Sequence, residues 1–293
     1  MYKLLYTQNI PFDMSDWENK QIKKVFAGEN CIMAITETGE TLQKIKNQDV
    51  MAKTQYWTRI KQIGLSKWAE GAAIGLVEDG SCLISKKIIR EMSEEHRLNF
   101  DYINDTIKLW NNIVQVAASD AFFALHSNGT VSYVSFCERF QNEYKDVENW
   151  RNIRRIVTGT QNSIFGITNN GEILAAGYNS RNIQGRISQY NNVVDIYPTG
   201  SECEDLYILT SNGNVINLNG TCNSFIFESG TNNDKFLDGY FGYKVFALTG
   251  QKMVIDISDS DMISLFPASY KINSFAVGDC NYPDPFVVAV AQI

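Results

Sequence analysis

The chain has 293 residues, 44% of them hydrophobic and 20% charged, with 14 Tyr, 16 Phe and only 5 Pro, which supplies the matter of a packed core and excludes a disordered chain. A formal net charge of −7 disfavours nucleic-acid binding, which needs clustered Lys and Arg to displace counterions from phosphates. No stretch approaches the roughly 20 consecutive apolar residues of a membrane span, and the N-terminus lacks the apolar run and cleavage site of a secretory leader, so a soluble cytoplasmic protein is expected.

The first ten residues, MYKLLYTQNI, read as a strand that belongs to no repeat. From Trp17 a phrase begins that the chain then says again. A loose copy, IKKVFAGENCIMAITETGETLQ, is followed by fuller ones from Trp57, Trp110, Trp150 and Tyr190. Each carries an apolar residue, another three on and a small residue three further: Ile22/Val25/Gly28, Ile60/Ile63/Ser66, Ile113/Val116/Ser119, Ile153/Ile156/Gly159 and Val193/Ile196/Thr199. Ser224/Phe227/Gly230 and Ile272/Phe275/Gly278 extend the series toward the C-terminus.

A spacing of three suggests a helix, but the residues that follow alternate, are rich in Val, Ile and Phe, and end at a turn dipeptide. These dipeptides are Thr38-Gly39, Asp79-Gly80, Asn128-Gly129, Asn170-Gly171, Asn212-Gly213 and Thr249-Gly250. Asn-Gly and Asp-Gly tolerate the positive φ of a tight hairpin, so each marks a reversal between antiparallel strands. The predicted unit is strand, loop, strand, tight turn, strand, with a fourth strand before the next aromatic. The turn glycines recur after 41, 49, 42, 42 and 37 residues, the length of a four-stranded propeller blade. The longest interval holds KKIIREMSEEHRLNFDYIND, which forms a short helix or extends two strands. The last copy, INSFAVGDCNYPDPFVVAVAQI, stops where a glycine turn is due, so residues 1–10 are expected to complete its blade and remove an open sheet edge.

Little in the sequence points to catalysis. Six scattered cysteines include no CxxC pair, which leaves them as buried thiols. His96 and His126 stand in different repeats and read as exposed side chains near turns. Glu94-Glu95 reads as solvated, and DISDSD (Asp256 to Asp261) lacks the Gly and final Glu of a calcium loop. No phosphate-binding loop or nucleophile elbow occurs, so no catalytic residue, cofactor or metal site is expected. The basic runs KKIIR (Lys86 to Arg90) and RNIRR (Arg151 to Arg155) are short, and the second reads as the solvated face of a strand. Trp57, Trp110 and Trp150 occupy equivalent positions and read as packing residues. Trp68, in SKWAEG, stands where other copies carry small or polar residues, and reads either as a binding anchor beside Glu70 or as a lid over its blade.

The repeat is similar to that of the RCC1-like (regulator of chromosome condensation) family, I-x-x-I-x-x-G, a strand, Asp or Asn with Gly, and then a segment containing Gly and Asn. The fullest match is IRRIVTGTQNSIFGITNNGEILAAGYNSRNIQG, Ile153 to Gly185, whose AAGYNSRNIQG resembles that last segment. The resemblance spans nearly the whole chain and is degraded outside the fourth copy. It implies an all-β fold, a seven-bladed β-propeller closed by the N-terminal strand pairing with the C-terminal blade. The chain resembles the compact bacterial type, one domain over residues 1–293 with no appended tail or basic arm. The family also implies a protein-binding surface of loops at one end. Some members exchange nucleotide on a small GTPase and bind chromatin; others act only by gripping a protein. The reading is a monomeric, non-enzymatic scaffold, bound to neither nucleic acid nor membrane, that holds an unidentified protein partner through Trp68, Glu70, Tyr178 and Arg181 on one rim. The alternatives are an exchange factor for a small GTPase and a carbohydrate-binding propeller lectin.

Overall fold

The computed structural model describes residues 2–28, 31–46, 54, 56–66, 72–85, 100–136, 138–159, 163–178, 180–199, 205–212, 215–218, 236–241, 245–249, 251–256, 263–278 and 285–292. After the opening strand β1 (Tyr2–Tyr6), a three-stranded meander forms from β2 (Ile22–Gly28), β3 (Cys31–Thr36) and β4 (Thr41–Ile45). The pattern recurs as β5 (Ile60–Leu65), β6 (Ala73–Val77) and β7 (Cys82–Ile84), and, after helix α1 (Phe100–Lys108), as β8 (Ile113–Ala118), β9 (Ala121–His126) and β10 (Val131–Ser135). Helix α2 (Glu138–Glu143) and a 3-10 turn (Lys145–Asn149) lead to β11 (Ile153–Thr158), β12 (Ser163–Thr168) and β13 (Ile173–Gly177). Helix α3 (Ser180–Ile187) leads to β14 (Val193–Thr199), β15 (Asp205–Thr210) and β16 (Val215–Asn217). A sixth sheet holds β17 (Phe236–Phe241), β18 (Val245–Thr249), β19 (Val254–Asp256) and β20 (Ile263–Ser264). The last sheet is β21 (Lys271–Gly278), β22 (Phe286–Gln292) and β1, so both ends of the chain share it. Tyr2 lies opposite Gln292 and Tyr6 opposite Val288, antiparallel, as expected from the missing last turn.

The apolar pair spaced by three has a geometric cause. In a regular strand, residues three apart point to opposite faces. Each first strand is bulged directly after its first apolar residue, between Ile22 and Lys24, Ile60 and Gln62, Ile113 and Gln115, Ile153 and Arg155, and likewise in the later sheets. The extra residue turns the second apolar side chain back to the side of the first. Ile60 and Ile63 therefore share one cluster with Trp57, and Ile153 and Ile156 another with Trp150. These tryptophans lie so close on their middle strands that a Cβ at Gly75 or Gly166 would come within 2.8 Å of the ring.

The core is distributed between sheets. Successive first strands adjoin, β21 with β2, β2 with β5, β5 with β8, β8 with β11, β11 with β14 and β14 with β17, which makes them the innermost strands. The middle strands are apolar on both faces, and their period of two divides side chains between two neighbours. In β9, Phe122 and Ala124 pack with Ile74 and Leu76 of the preceding sheet, while Phe123 and Leu125 pack with Ile153 and Ile156 of the next. In β22, Val288 and Val290 meet Ile22 and Ile32 of the first sheet, and Val287 and Ala289 meet Phe246 and Leu248 of the sixth.

Several expectations are corrected. Among the described residues only the sixth sheet has a fourth strand, β20. In the third and fourth sheets a helix stands outside the third strand, and one glutamine supplies the pairing that an added strand would. Gln141 Oε1 accepts the Ser135 N–H (3.0 Å); Gln184 Oε1 accepts the Ala175 N–H (2.9 Å) while its Nε2 donates to the Ile173 carbonyl (3.1 Å). The insertion before Trp110 ends in helix α1, the first of the two readings of this segment, which buries Ile103 and Ile107 beside Ile84 and Phe136. The sixth first strand begins at Phe236, beyond Ser224/Phe227/Gly230, which lie outside the described residues; Phe236 and Asp238 flank the bulge there. In RNIRR, Arg154 is exposed, yet its guanidinium donates to the carbonyls of Thr168 (3.1 Å) and Val193 (2.6 Å). Arg155 pairs with Asp195 at 2.6 Å, so both arginines tie the fourth sheet to the fifth. His126 is half-buried: Nδ1 donates to the Asn111 carbonyl (2.9 Å), and Nε2 shares a hydrogen bond with the Ser132 hydroxyl (2.8 Å). No helix among the described residues is long and apolar enough to cross a membrane.

Candidate functional site

The described glycine turns, at Gly39, Gly80, Gly129 and Gly171, lie on one rim, and the last residues of the first and third strands lie at the other. On the turn rim, positive φ at Gly129 (80°) and Gly171 (80°) aims each carbonyl at the next sheet. The Gly129 carbonyl accepts from the Ile153 N–H (3.0 Å) and the Gly171 carbonyl from the Val193 N–H (3.1 Å). Backbone groups of that rim are thus spent on joining neighbours.

Of the sequence-predicted residues, Tyr178 and the backbone of Arg181 lie at the opposite rim. Tyr178 directly follows β13 and is 49% exposed. Arg181 falls in the first turn of α3, and its side chain lies outside what is described. Trp68 and Glu70 lie outside the described residues; the strands that flank them end at this rim, with Leu65 opposite Ala73.

Beside Tyr178 opens a cavity of about 600 Å³. Asn142, Glu143, Lys145 and Asp146 form one wall, Gly177, Ser180 and Asn182 the other. Its walls are the helical segments that replace the fourth strands, fixed by Gln141 and Gln184. Between Glu143 and Lys145, Tyr144 turns inward and is fully buried, edge-on to Phe123 at 4.9 Å. Its hydroxyl donates to Asp120 Oδ1 in the β8–β9 turn, and the Ser119 hydroxyl donates to the same oxygen (2.7 Å). Asp120 Oδ2 has no hydrogen-bond partner among the described residues. Burial pushes the Asp120 carboxyl up to about 6, against the hydrogen bonds from Tyr144 and Ser119 and with a smaller push from the charge of Glu143. The Tyr144 phenol is pushed far above its ordinary range, first by burial and then by Asp120. The Ser66 hydroxyl donates to the Ser119 carbonyl and so ties this turn to the second sheet.

Asp120, Tyr144, Gln141 and Gln184 were not singled out by the sequence. No repeat signal set Asp120 apart: its position after Ser119, between two apolar strands, is also acidic in other copies, Glu29 after Gly28 and Asp279 after Gly278. Among the described residues no group of three or more His, Cys, Asp or Glu is arranged to hold a metal ion.

No protein-family model and no curated protein matches the sequence. Solved structures match by shape. Human WBSCR16 gives a TM-score of 0.63 at 12% identity, over 94% of this chain and 87% of its own. Yeast RCC1 (Prp20), in a complex with Kap60, gives 0.61 at 13% identity, over 95% of this chain and 81% of its own. The fold is an RCC1-like β-propeller. YCF48, in a structure with D1 peptide, matches at 0.51 and 9% identity over 100% of this chain and 96% of its own. In this RCC1-like propeller the sheets are the blades, and the cavity lies between the helices that edge the third and fourth.

Proposed function

We propose that this chain is a non-enzymatic, protein-binding propeller, acting as one unit over residues 1–293, whose partner sits on the rim that carries Tyr178. One observation carries the reading: Tyr178 stands 49% exposed beside a polar cavity. An aromatic that keeps an apolar ring in water at the edge of a concave polar surface has the character of an interface anchor. The opposite rim supports the assignment, because its turn carbonyls are engaged by the neighbouring blades. The buried acid and phenol, Asp120 and Tyr144, bond to each other, which suits a structural role better than turnover. Proteins of this fold support it as well: yeast RCC1 (Prp20) is seen bound to Kap60 and is described by its binding to Gsp1p and histones, and YCF48 is seen with a peptide. A stable partner would bury roughly 1,200–2,000 Å² in all.

The test is capture of partners from a lysate of the source cells by the tagged protein, with chemical crosslinks mapped by mass spectrometry. Tyr178→Ala and Arg181→Ala are expected to lose the captured protein while the Tm is unchanged, and crosslinks are expected around residues 142–146 and 178–182. Crosslinks confined to the glycine-turn rim, with capture indifferent to both substitutions, would overturn the reading.

A further inference from the structure

Resting on that reading, we infer that the cavity between α2 and α3 receives a basic segment of the partner, its Lys or Arg side chain held against the Glu143–Asp146 wall. A space of about 600 Å³ is that of a ligand pocket and far exceeds an ion site. Its lining is polar throughout. Asn142, Asn182 and Ser180 offer amide and hydroxyl groups to a backbone, and Gly177 leaves its own main chain uncovered by any side chain.

The sign of the charge comes from what surrounds the walls. Two carboxylates, Glu143 and Asp146, stand against one cation, Lys145, among the described lining residues. The field they make reaches two separate buried groups. Burial raises the Tyr133 phenol to about 12, and the charges of Glu148 and Asp146 add to that rise; Glu143 acts in the same sense on Asp120. Asp120 stands one side chain behind the wall, on the hydroxyl of Tyr144, and carries an oxygen with no partner among the described residues. A carboxylate in such a low-dielectric place projects its charge further than one in water. Tyr178, exposed and next in the chain to the lining residue Gly177, is an aromatic face of the kind that a guanidinium covers. Acidic walls and amide acceptors, with an exposed tyrosine next in the chain to Gly177, together select a cation on a peptide.

The test uses the full chain and a fluorescein-labelled peptide of alternating Arg and Gly, with a Glu-Gly peptide as its counterpart, read by fluorescence anisotropy at physiological salt. The Arg-Gly peptide is expected to bind and the Glu-Gly peptide not to. E143Q/D146N is expected to weaken binding about tenfold or more, the effect of removing charges from a contact. E37Q/E40Q on the glycine-turn rim removes the same charge and is expected to change affinity less than about twofold, as screened distant charges do. K145E is expected to strengthen binding, which keeps the idea testable if the neutralised wall folds poorly. Equal losses in both double variants, weaker binding by K145E, or no binding of the Arg-Gly peptide would overturn the inference. Those outcomes, with capture of a protein still lost in Tyr178→Ala, would leave the rim reading standing and remove only the cation.

Discussion

Asp120 holds a charge where charge is poorly solvated, and the consequence is a pH dependence of unusual sign. Unfolded, its carboxyl titrates near the ordinary 3.8; folded, near 6. Between those values the folded state keeps a proton that the unfolded state has lost, so acidification from pH 7 toward 5 stabilises the fold. The full effect is on the order of 3 kcal/mol. Asp195, raised by burial against the pull of Arg155, acts in the same direction. Asp13 and Asp79 are held low by hydrogen bonds from Ser15 and Ser81, and oppose it only as the pH falls through the ordinary carboxylate range and below. Calorimetry from pH 7.5 to 5 should therefore find the Tm rising, and Asp120→Asn should flatten the rise. A wild-type Tm that falls over this range would show that Asp120 is not the group in control. At this scale the sequence was half legible: its tryptophans and turn glycines declared themselves through repetition. Asp120 and Tyr144 stand 24 residues apart, so no period reveals their meeting.

At the scale of elements, strands were legible and their edges were not. Alternation and Asn-Gly turns mark a hairpin in any window of the chain, but α2 spans six residues and α3 eight, too short for a helical period to declare itself. The segment AAGYNSRNIQG carries Gly177 and Gly185, and only the first of these has the positive φ (101°) that favours glycine. A Cβ at Gly185 would meet nothing within 4 Å. Gly185→Ala should thus stabilise the protein by about 0.5–1 kcal/mol, since the helix loses an entropic burden and gains no clash. Gly166→Ala should do the reverse, by about 1–3 kcal/mol, because its methyl would drive into the Trp150 ring. Urea unfolding of the two variants decides the matter: equal shifts of either sign would mean that the Trp150–Gly166 contact is not tight. The bulges were hidden for a different reason. A strand with one extra residue imitates a helical spacing, and only pairing with its neighbour distinguishes the two.

For the whole molecule, the pairing of the first strand with the last was readable, because a missing turn in the last copy and an orphan strand in the first imply each other. The sixth first strand begins at Phe236, and Ser224/Phe227/Gly230, where the sequence sets the sixth copy, lie outside the described residues. Removing residues 1–10 strips Tyr2, Leu4 and Tyr6 from the cluster around Val288 and Val290 and uncovers one edge of β22. The truncated protein should melt at a markedly lower temperature and be cleaved first within β21 and β22 by a dilute protease. An unchanged melting curve would mean that β1 contributes nothing to the ring. The same junction also sets an order in time. Strand β1 is synthesised roughly 280 residues before β22, which at about 5–20 residues per second is an interval of about 15–60 s. Throughout that interval a strand of two tyrosines and two leucines is in the cell without its mate, available to any open sheet edge nearby. A ribosome stalled before β22 therefore holds a chain whose earlier sheets can form while the sheet that joins β1 to β22 cannot.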